Sequence, residues 1–139
     1  DPECDERIFV DPDNWDENFT DQWQTQVLRQ AQRYPDLPIS NNVKGVVSLY
    51  DVTDDWIPIY DKSDLPGFYM AIGTSGNQFK NAPVAGVLMS ELIEYCENGN
   101  NHDTEPLKIN LKYINKDINL KFYSRNRQIN EESSMSVLG

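Results

Sequence analysis

The sequence contains few of the side chains from which metal sites and nucleophilic active sites are usually built. Its 139 residues include one histidine, His102, and two cysteines, Cys4 and Cys96. His102 lies among Asn, Asp and Gly residues, without another histidine or a cysteine at ligand spacing, so we expect its side chain to be solvated. A histidine-based metal site or catalytic triad is therefore excluded within this chain, and the two distant cysteines are expected to be free thiols.

Long apolar segments and clusters of basic residues are also absent from the sequence. No apolar run approaches the length that is needed to cross a bilayer, so we expect a soluble protein without a membrane span, located in the cytoplasm. The 12 Lys and Arg residues stand against 23 Asp and Glu residues, which gives a formal net charge of −11. Because binding to nucleic acid or to an anionic membrane requires clustered positive charge, neither is expected as the main partner.

The length and composition predict one compact unit over residues 1–139. A hydrophobic content of 38% and an aromatic content of 11% suffice for one ordinary core, but not for a second domain of comparable size. The chain begins at Asp1 rather than at a methionine, and we expect it to be a mature piece or an excised fragment of a longer protein.

Two segments have the apolar spacing of helices. Apolar residues recur at every third or fourth position before Pro35, which predicts an amphipathic helix over 17–34. In a second segment, which begins at Pro83, the apolar residues cover more than one helix face. This pattern predicts a mostly buried helix over 83–97.

Runs of apolar and alternating residues predict the strands. They lie at 45–51, 57–61 and 68–73, and the last is expected to be buried because it is continuously apolar. Two alternating segments on either side of a turn at 115–117 predict a hairpin near 108–122 with one solvated face. Together with the helices, these strands predict an α+β fold.

The segment that joins the third strand to the second helix has the pattern of a ligand-binding turn. Unpaired backbone N–H groups and the positive end of the helix dipole at a helix N-terminus favour an electron-rich ligand. Gly73 and Gly76 have no Cβ and would allow a cofactor to approach the main chain closely. A turn with only a structural role has the same pattern, so this feature alone does not decide between the two.

Three consecutive segments of the sequence resemble one family of enzymes. They are Pro58-Ile-Tyr-Asp61, Leu65-Pro-Gly-Phe-Tyr-Met-Ala-Ile-Gly73 and Ser75-Gly-Asn-Gln-Phe-Lys80. In this order, and followed by an apolar helix, they are similar to the carboxy-terminal part of the FAD-dependent oxidoreductases of the D-amino-acid oxidase type, which include sarcosine oxidase and glycine oxidase. The resemblance is close over roughly residues 44–94 and weaker at either end.

The resemblance implies an incomplete part of a larger two-domain flavoprotein fold. In this family the first half of the protein carries a G-x-G-x-x-G dinucleotide fingerprint, which this sequence lacks. The chain would be the end of the substrate domain, together with the strand and helix that close the flavin domain. Its partner would be the remainder of the parent enzyme, and the isolated chain is expected to be inactive and prone to self-association through exposed sheet edges.

The resemblance also assigns candidate site residues. The backbone that would face the pyrimidine edge of FAD belongs to Gly73, Thr74, Ser75, Gly76, Asn77 and Gln78. Lys80 matches the lysine that holds the substrate carboxylate in sarcosine-oxidase-like members, and its alternative role is that of a solvated lysine at a loop. The side chains of Asn77 and Gln78 would bind substrate or flavin, or else cap the start of the following helix.

The expected cofactor is non-covalent FAD. Members with covalently attached flavin have a cysteine two residues before a tyrosine that resembles Tyr50, and here that position is Ser48, which cannot form the thioether. The implied function is oxidation of the C–N bond of an amino or N-methyl amino acid, a small-molecule substrate, by hydride transfer to FAD. The alternative is a non-catalytic protein-binding module with an acidic surface, in which the turn is only structural.

Overall fold

The computed structural model describes residues 9–38 and 44–133. These residues form two α-helices and two small antiparallel sheets, which confirms the predicted α+β class. The helices are α1 (Asp21–Ala31) and α2 (Ala82–Glu97), and the strands are β1 (Ile59–Lys62), β2 (Tyr69–Ile72), β3 (Lys108–Leu111) and β4 (Lys116–Asn119). Short 3₁₀ helices cover Phe79–Asn81 and Leu120–Tyr123.

The described residues divide into two compact units between Leu49 and Tyr50, where the composition predicts a single unit. The smaller unit contains α1, and the larger unit contains α2 and both sheets. Among the described residues, no helix is both long and apolar enough to cross a bilayer.

In the smaller unit, α1 is shorter at both ends than the predicted helix over 17–34. It begins later because the side chain of Thr20 accepts a hydrogen bond from the Trp23 amide at 3.1 Å and so caps the N-terminus. It ends earlier, in turns that lead to Pro35, a residue that disfavours helical backbone just before it. The rings of Phe19 and Trp23 stack with 4.4 Å between their centroids.

The predicted strand over 45–51 is not formed, and residues 44–51 have no regular secondary structure. A strand needs a neighbour for its backbone N–H and C=O groups, and no other described segment pairs with this one. Gly45 instead lies against aromatic rings, since a Cβ there would come within 3.0 Å of Trp23 and 3.3 Å of Phe19. The alternating pattern was therefore not sufficient to make a strand.

In the larger unit, β1 and β2 pair antiparallel, with Ile59 opposite Ile72. The turn between them contains Gly67, whose φ of 75° lies in the left-handed region that glycine tolerates. The strands correspond to the predicted segments 57–61 and 68–73. However, β2 is not the buried strand that its apolar run predicts, because its residues are only half-buried or exposed.

The strands β3 and β4 form the predicted carboxy-terminal hairpin. Its turn spans 112–115 rather than 115–117, with Asn115 in the left-handed region at a φ of 49°. Asparagine tolerates this conformation better than most residues do. The second strand is shorter than predicted because the side chain of Asn119 caps the 3₁₀ helix Leu120–Tyr123.

The core of the larger unit lies between α2, β1 and the carboxy-terminal hairpin. Its buried members are Tyr60, Leu88, Leu92, Ile109 and Leu120. Helix α2 buries only Leu88 and Leu92, so the prediction of a mostly buried helix is wrong. Val84 and Val87 of the same helix are 43% and 50% exposed, because the described residues cover only one face of it.

Replacing Leu92 with alanine should destabilise the larger unit. The Leu92 side chain is fully buried, so the substitution loses apolar contacts and leaves a cavity, which lowers the free energy of unfolding by about 2–5 kcal/mol. Val84→Ala in the same helix is the matched control, and it should change that free energy by only about 0.5 kcal/mol. Urea-induced unfolding measures both variants, and equal effects would contradict the placement of the core on this face.

Candidate functional site

The turn that follows β2 has an unusual backbone. Gly73 and Gly76 have φ angles of 68° and 76°, and Ser75 between them has a φ of 49°. For a residue with a Cβ, the left-handed region costs about 1–2 kcal/mol. Ser75 is nevertheless fully buried, and its hydroxyl donates a hydrogen bond to the Gly73 carbonyl at 3.2 Å. Internal contacts therefore hold the turn in this strained shape.

The amides of the turn bind a carboxylate that belongs to the chain itself. The Gly73 and Thr74 amides donate to Oδ2 of Asp51 at 2.8 and 3.1 Å, and the Thr74 hydroxyl donates to Oδ1 at 2.5 Å. The Ser75 amide donates to the backbone carbonyl of Asp51 at 3.1 Å. Burial alone would raise the pKa of Asp51, but the hydrogen bonds from Thr74 and Gly73 outweigh it and lower the pKa. Three amides that the family resemblance assigns to flavin are thus engaged by Asp51.

Neighbouring side chains fill the space beside both glycines. A Cβ on Gly73 would clash with the methyl carbon of Thr53, and a Cβ on Gly76 would lie 2.8 Å from Cζ of Tyr50. The Tyr50 side chain is 59% exposed and has room to move. Thr53 is fixed, because its hydroxyl donates to the Ile57 carbonyl at 2.8 Å. Internal packing therefore accounts for the glycine at position 73, whereas at position 76 the φ of 76° is the stronger reason for glycine.

An ion pair between a buried carboxylate and a partly buried guanidinium group fixes the loop that precedes β1. Asp55 is 1% exposed and accepts hydrogen bonds from two guanidinium nitrogens of Arg127 at 2.6 and 2.9 Å. The same guanidinium group donates to the Ile57 carbonyl at 2.7 Å. Burial alone would raise the pKa of Asp55, but the hydrogen bonds from Arg127, Asn130 and Ile57 lower it to about 2. The carboxy-terminal tail, which has no regular secondary structure, is thereby tied to this loop.

A second buried carboxylate, that of Asp61 on β1, binds the same tail. Its Oδ2 accepts from the Ser124 hydroxyl at 2.9 Å, from the Arg125 amide at 2.9 Å and from the Arg125 guanidinium at 3.2 Å. Arg125 also pairs with Asp103 at 2.8 Å. Hydrogen bonds from Arg125 and Lys62 lower the pKa of Asp103 to about 2. The tail is therefore held at two points by carboxylates of the larger unit.

His102 is buried, so the prediction of a solvated side chain is wrong. It is 1% exposed, and its Nδ1 accepts a hydrogen bond from the Leu107 amide at 3.1 Å. Its Nε2 lies 3.9 Å from Oδ1 of Asp61 and has no hydrogen-bond partner among the described residues. Burial lowers the pKa of His102, although the charges of Asp61 and Asp103 oppose this shift. The ring anchors the loop before β3, which its polar sequence did not indicate.

No group of three His, Cys, Asp or Glu side chains within residues 9–38 and 44–133 is arranged to hold a metal ion. Cys96 on α2 is a partly buried free thiol, and Cys4 lies outside the described residues. Burial raises the pKa of Cys96, although the charge of Lys62 opposes the shift. The thiol is thus poorly suited to act as a nucleophile.

The side chains that the resemblance assigns to the site follow the turn. Lys80 is exposed in the 3₁₀ helix that precedes α2. Gln78 donates to the side chain of Asn77 at 2.5 Å and accepts from the Asn81 side chain at 2.9 Å. Asn81 itself makes no side-chain hydrogen bond to cap α2. Asn77 and Gln78 therefore bind each other and the residue before the helix, and the helix N-terminus has no side-chain cap.

A cavity of about 410 Å³ borders the turn beside Asp51 and Gly73. Its walls also include Ile59, Ile72 and the partly buried Arg127. Its volume lies within the range of small-molecule sites, about 300–1,000 Å³. Lys80 is not among the residues that line it, so the predicted substrate anchor and this cavity do not coincide.

The residues that organise the turn were missed by sequence reasoning. They are Asp51, Thr53, Asp55 and Arg127, and the Asp and Thr residues among them are ordinary turn formers. The two members of the ion pair are 72 positions apart, so no local pattern links them. The available signal was the pair of arginines in a tail of an acidic chain, because a buried arginine needs a carboxylate partner.

Comparisons with protein-family models, with curated proteins and with solved structures found no match to this chain. Membership of the D-amino-acid oxidase family therefore stays a prediction from the sequence. The turn geometry described above is the physical observation that bears on a site.

Gly73→Ala should disrupt the turn more than Gly67→Ala. Both residues have a positive φ, 68° and 75°, so each substitution introduces about 1–2 kcal/mol of backbone strain. Only at Gly73 does the new Cβ also clash with the Thr53 methyl group. A Cβ at Gly67 would have none of the neighbouring atoms within 4 Å. We expect Gly73→Ala to lower the free energy of unfolding by about 1–3 kcal/mol more than Gly67→Ala does, as measured by urea-induced unfolding.

A second substitution tests whether the Thr53 methyl group is the cause. Thr53→Ser removes that methyl group and keeps the hydroxyl that donates to the Ile57 carbonyl. When it is combined with Gly73→Ala, most of the excess loss should be recovered. If Gly73→Ala is equally destabilising with and without Thr53→Ser, the clash does not limit the turn.

Acid should destabilise the larger unit below about pH 4, partly through Asp55. The folded-state pKa of this group is lowered from 3.8 to about 2. Its contribution, about 2 kcal/mol, is therefore present above the unfolded-state value of 3.8 and is lost as the pH falls through the folded-state value. Asp55→Asn should lower the free energy of unfolding at pH 7 and flatten its decrease between about pH 4 and pH 2.

Glu91→Gln, at an exposed position of α2, provides a control that also removes one carboxylate. It should change neither the free energy of unfolding at pH 7 nor its slope in acid. Unfolding by urea at a series of pH values measures both variants. An Asp55→Asn variant that retains the wild-type slope would show that this carboxylate is not the titrating group.

Proposed function

We propose that this chain is the carboxy-terminal part of an FAD-dependent oxidoreductase of the D-amino-acid oxidase type. The whole enzyme oxidises the C–N bond of an amino or N-methyl amino acid. The sequence resemblance over roughly residues 44–94 supports the family. That resemblance is what carries the proposal, because the amides of Gly73 and Thr74 that it assigns to flavin are engaged by the carboxylate of Asp51.

The chain's part in the reaction is to supply donors that are fixed before the reaction starts. FAD, when bound, accepts a hydride and gains negative charge along its pyrimidine edge. The amides of Gly73 and Thr74 would hold that edge, and the N-terminus of α2, which has no side-chain cap, would favour negative charge near it. The buried Ser75 keeps the donors in place, so no reorganisation is needed when the charge develops.

Lys80 orients the substrate in this proposal. Its side chain is exposed directly before α2, and an ammonium group is a suitable point charge for binding the substrate's carboxylate. Ser48 is exposed and carries a hydroxyl in place of the thiol of covalent members, which supports non-covalent FAD.

The turn fits a flavin edge on one condition. Two amides and one hydroxyl converge on a single carboxylate within 3.1 Å, so the donor set suits an electron-rich ligand. These donors are available to a flavin only after the Asp51 side chain has left them. No step of the reaction depends on Asp51 remaining in place.

A second candidate function is a non-catalytic protein-binding module. The turn of the carboxy-terminal hairpin favours it, because Tyr113 is fully exposed and Ile114 is 62% exposed. Exposed aromatic and aliphatic residues at a loop tip are suited to contact a partner protein. A Gly-rich dinucleotide fingerprint upstream of Asp1 in the parent protein would favour the enzyme over this alternative.

The visible absorbance of the parent protein tests the proposal. Expressed whole, it should show flavin absorbance that is released on denaturation, as expected for a non-covalent cofactor. Anaerobic addition of sarcosine or of a D-amino acid should bleach that absorbance, because hydride transfer reduces the flavin. A whole protein without flavin absorbance, or with flavin that no amine-bearing acid bleaches, would contradict the proposal.

Steady-state kinetics of the whole protein test the role of Lys80. Lys80→Met removes the charge that binds the substrate carboxylate, so KM should rise by about 10- to 100-fold, with a smaller change in kcat. Lys108→Met, at an exposed position of β3, is the matched control and should leave KM unchanged. An unchanged KM in Lys80→Met would remove this residue from the site.

A further inference from the structure

The carboxylate of Asp51 differs from the other two carboxylates that organise the larger unit. Asp55 and Asp61 are buried and pair with arginines of the tail. Asp51 is exposed, and its carboxylate is bound by the Gly73 and Thr74 groups of the turn. An exposed carboxylate on main-chain amides has the arrangement of a ligand in an anion-binding turn.

We propose that this turn is an anion-binding site. The carboxylate of Asp51 occupies it and competes with an external anionic group for the amides of Gly73 and Thr74. The identity of that group as the pyrimidine edge of a flavin, which is anionic once the flavin is reduced, rests on the proposed function. The competition itself rests only on the hydrogen bonds of the turn.

The Asp51 side chain can leave without opening the loop that carries it. The Ser75 amide binds the backbone carbonyl of Asp51 at 3.1 Å, and this bond does not involve the carboxylate. Two residues further along, the Thr53 hydroxyl donates to the Ile57 carbonyl at 2.8 Å, and Arg127 holds the same carbonyl at 2.7 Å. Rotation of the exposed side chain into solvent, where it is hydrated, therefore vacates two amides and one hydroxyl.

The occupied turn selects among ligands by charge. A ligand must offer an acceptor at least as good as a carboxylate, because it replaces hydrogen bonds to a charged group. On this ground an anionic acceptor competes with Asp51 better than a neutral acceptor does. Asp51 thus acts as a positioning residue that keeps the donors converged in the absence of a ligand.

Anion titration of the 139-residue chain tests the competition. The backbone amide NMR signals of Gly73, Thr74 and Ser75 are followed as sodium acetate or inorganic phosphate is added at constant ionic strength. In Asp51→Asn the amides should respond at concentrations about tenfold lower than in the wild type. Glu91→Gln, which removes one exposed carboxylate elsewhere, should respond as the wild type does. Equal responses in Asp51→Asn and the wild type would overturn the proposal.

Chemical rescue keeps the test decisive if the substitution loosens the turn. Asp51→Ala removes the carboxylate completely and should lower the free energy of unfolding. Added acetate should restore that free energy in a saturable manner, because it binds only the folded turn. The wild type and Glu91→Gln should show no such dependence. An Asp51→Ala variant that acetate stabilises no more than the wild type would also overturn the proposal.

Reconstitution of the whole apoprotein with FAD separates this inference from the proposed function. If the whole protein binds FAD, Asp51→Asn should bind it about tenfold more tightly, measured by the change in flavin fluorescence. Equal or weaker binding by the variant would overturn the inference and leave the flavoenzyme intact. A whole protein that binds no FAD would overturn the proposed function, while the acetate and phosphate titrations would still decide the anion site.

Discussion

The ion pair between Asp55 and Arg127 is the interaction on which the geometry of the candidate site depends. Arg127 binds both the Asp55 carboxylate and the Ile57 carbonyl, and the Thr53 hydroxyl binds that same carbonyl. The Thr53 methyl group in turn occupies the space beside Gly73. A distant part of the chain thus sets the shape of the turn through three consecutive contacts. Buried ion pairs often contribute little net stability, and here the pair serves to fix one loop conformation.

The turn also resolves a conflict between the charge of the chain and the charge of its proposed ligand. A formal net charge of −11 repels anions at long range, so a site built from acidic surface groups would not bind one. Main-chain amides provide directed positive poles at short range without any change in net charge. Salt that screens the long-range repulsion affects these short contacts less. The proposed binding at this turn would therefore be governed by hydrogen-bond geometry more than by the electrostatic field of the whole chain.

Helices and strands whose local sequence pattern is sufficient to define them could be predicted. Helix α2 and the strand β1 followed from apolar periodicity and turn residues, and the hairpin followed from alternation. The prediction of a strand over 45–51 was wrong because alternation of apolar and polar residues does not show whether a partner strand is present. The predictions that α2 and β2 are buried were wrong for the same reason, since burial depends on which other elements cover a face.

The contacts within the site were harder to predict than the elements. Gly73 and Gly76 were singled out as positions where a cofactor would approach the main chain, and the groups beside them in the structure are Thr53 and Tyr50. Sequence cannot distinguish an internal neighbour from a cofactor at such positions. His102 was expected to be solvated because its neighbours are polar, yet the Leu107 amide binds its ring. Pairings between residues far apart in sequence decided each of these outcomes.

The attachment of the irregular tail has a consequence for the lifetime of the molecule. Segments without secondary structure are preferred sites of proteolysis, and this tail carries the counter-ions of two buried carboxylates. A single cleavage after Tyr123, followed by loss of the tail, would leave Asp55 and Asp61 without their arginine partners, although the amides of Ile57 and Lys62 still donate to them. The cost would be at most about 3–5 kcal/mol for each. That loss approaches the whole stability of a small domain, about 5–15 kcal/mol. Loss of the tail would therefore remove much of the stability of the folded unit.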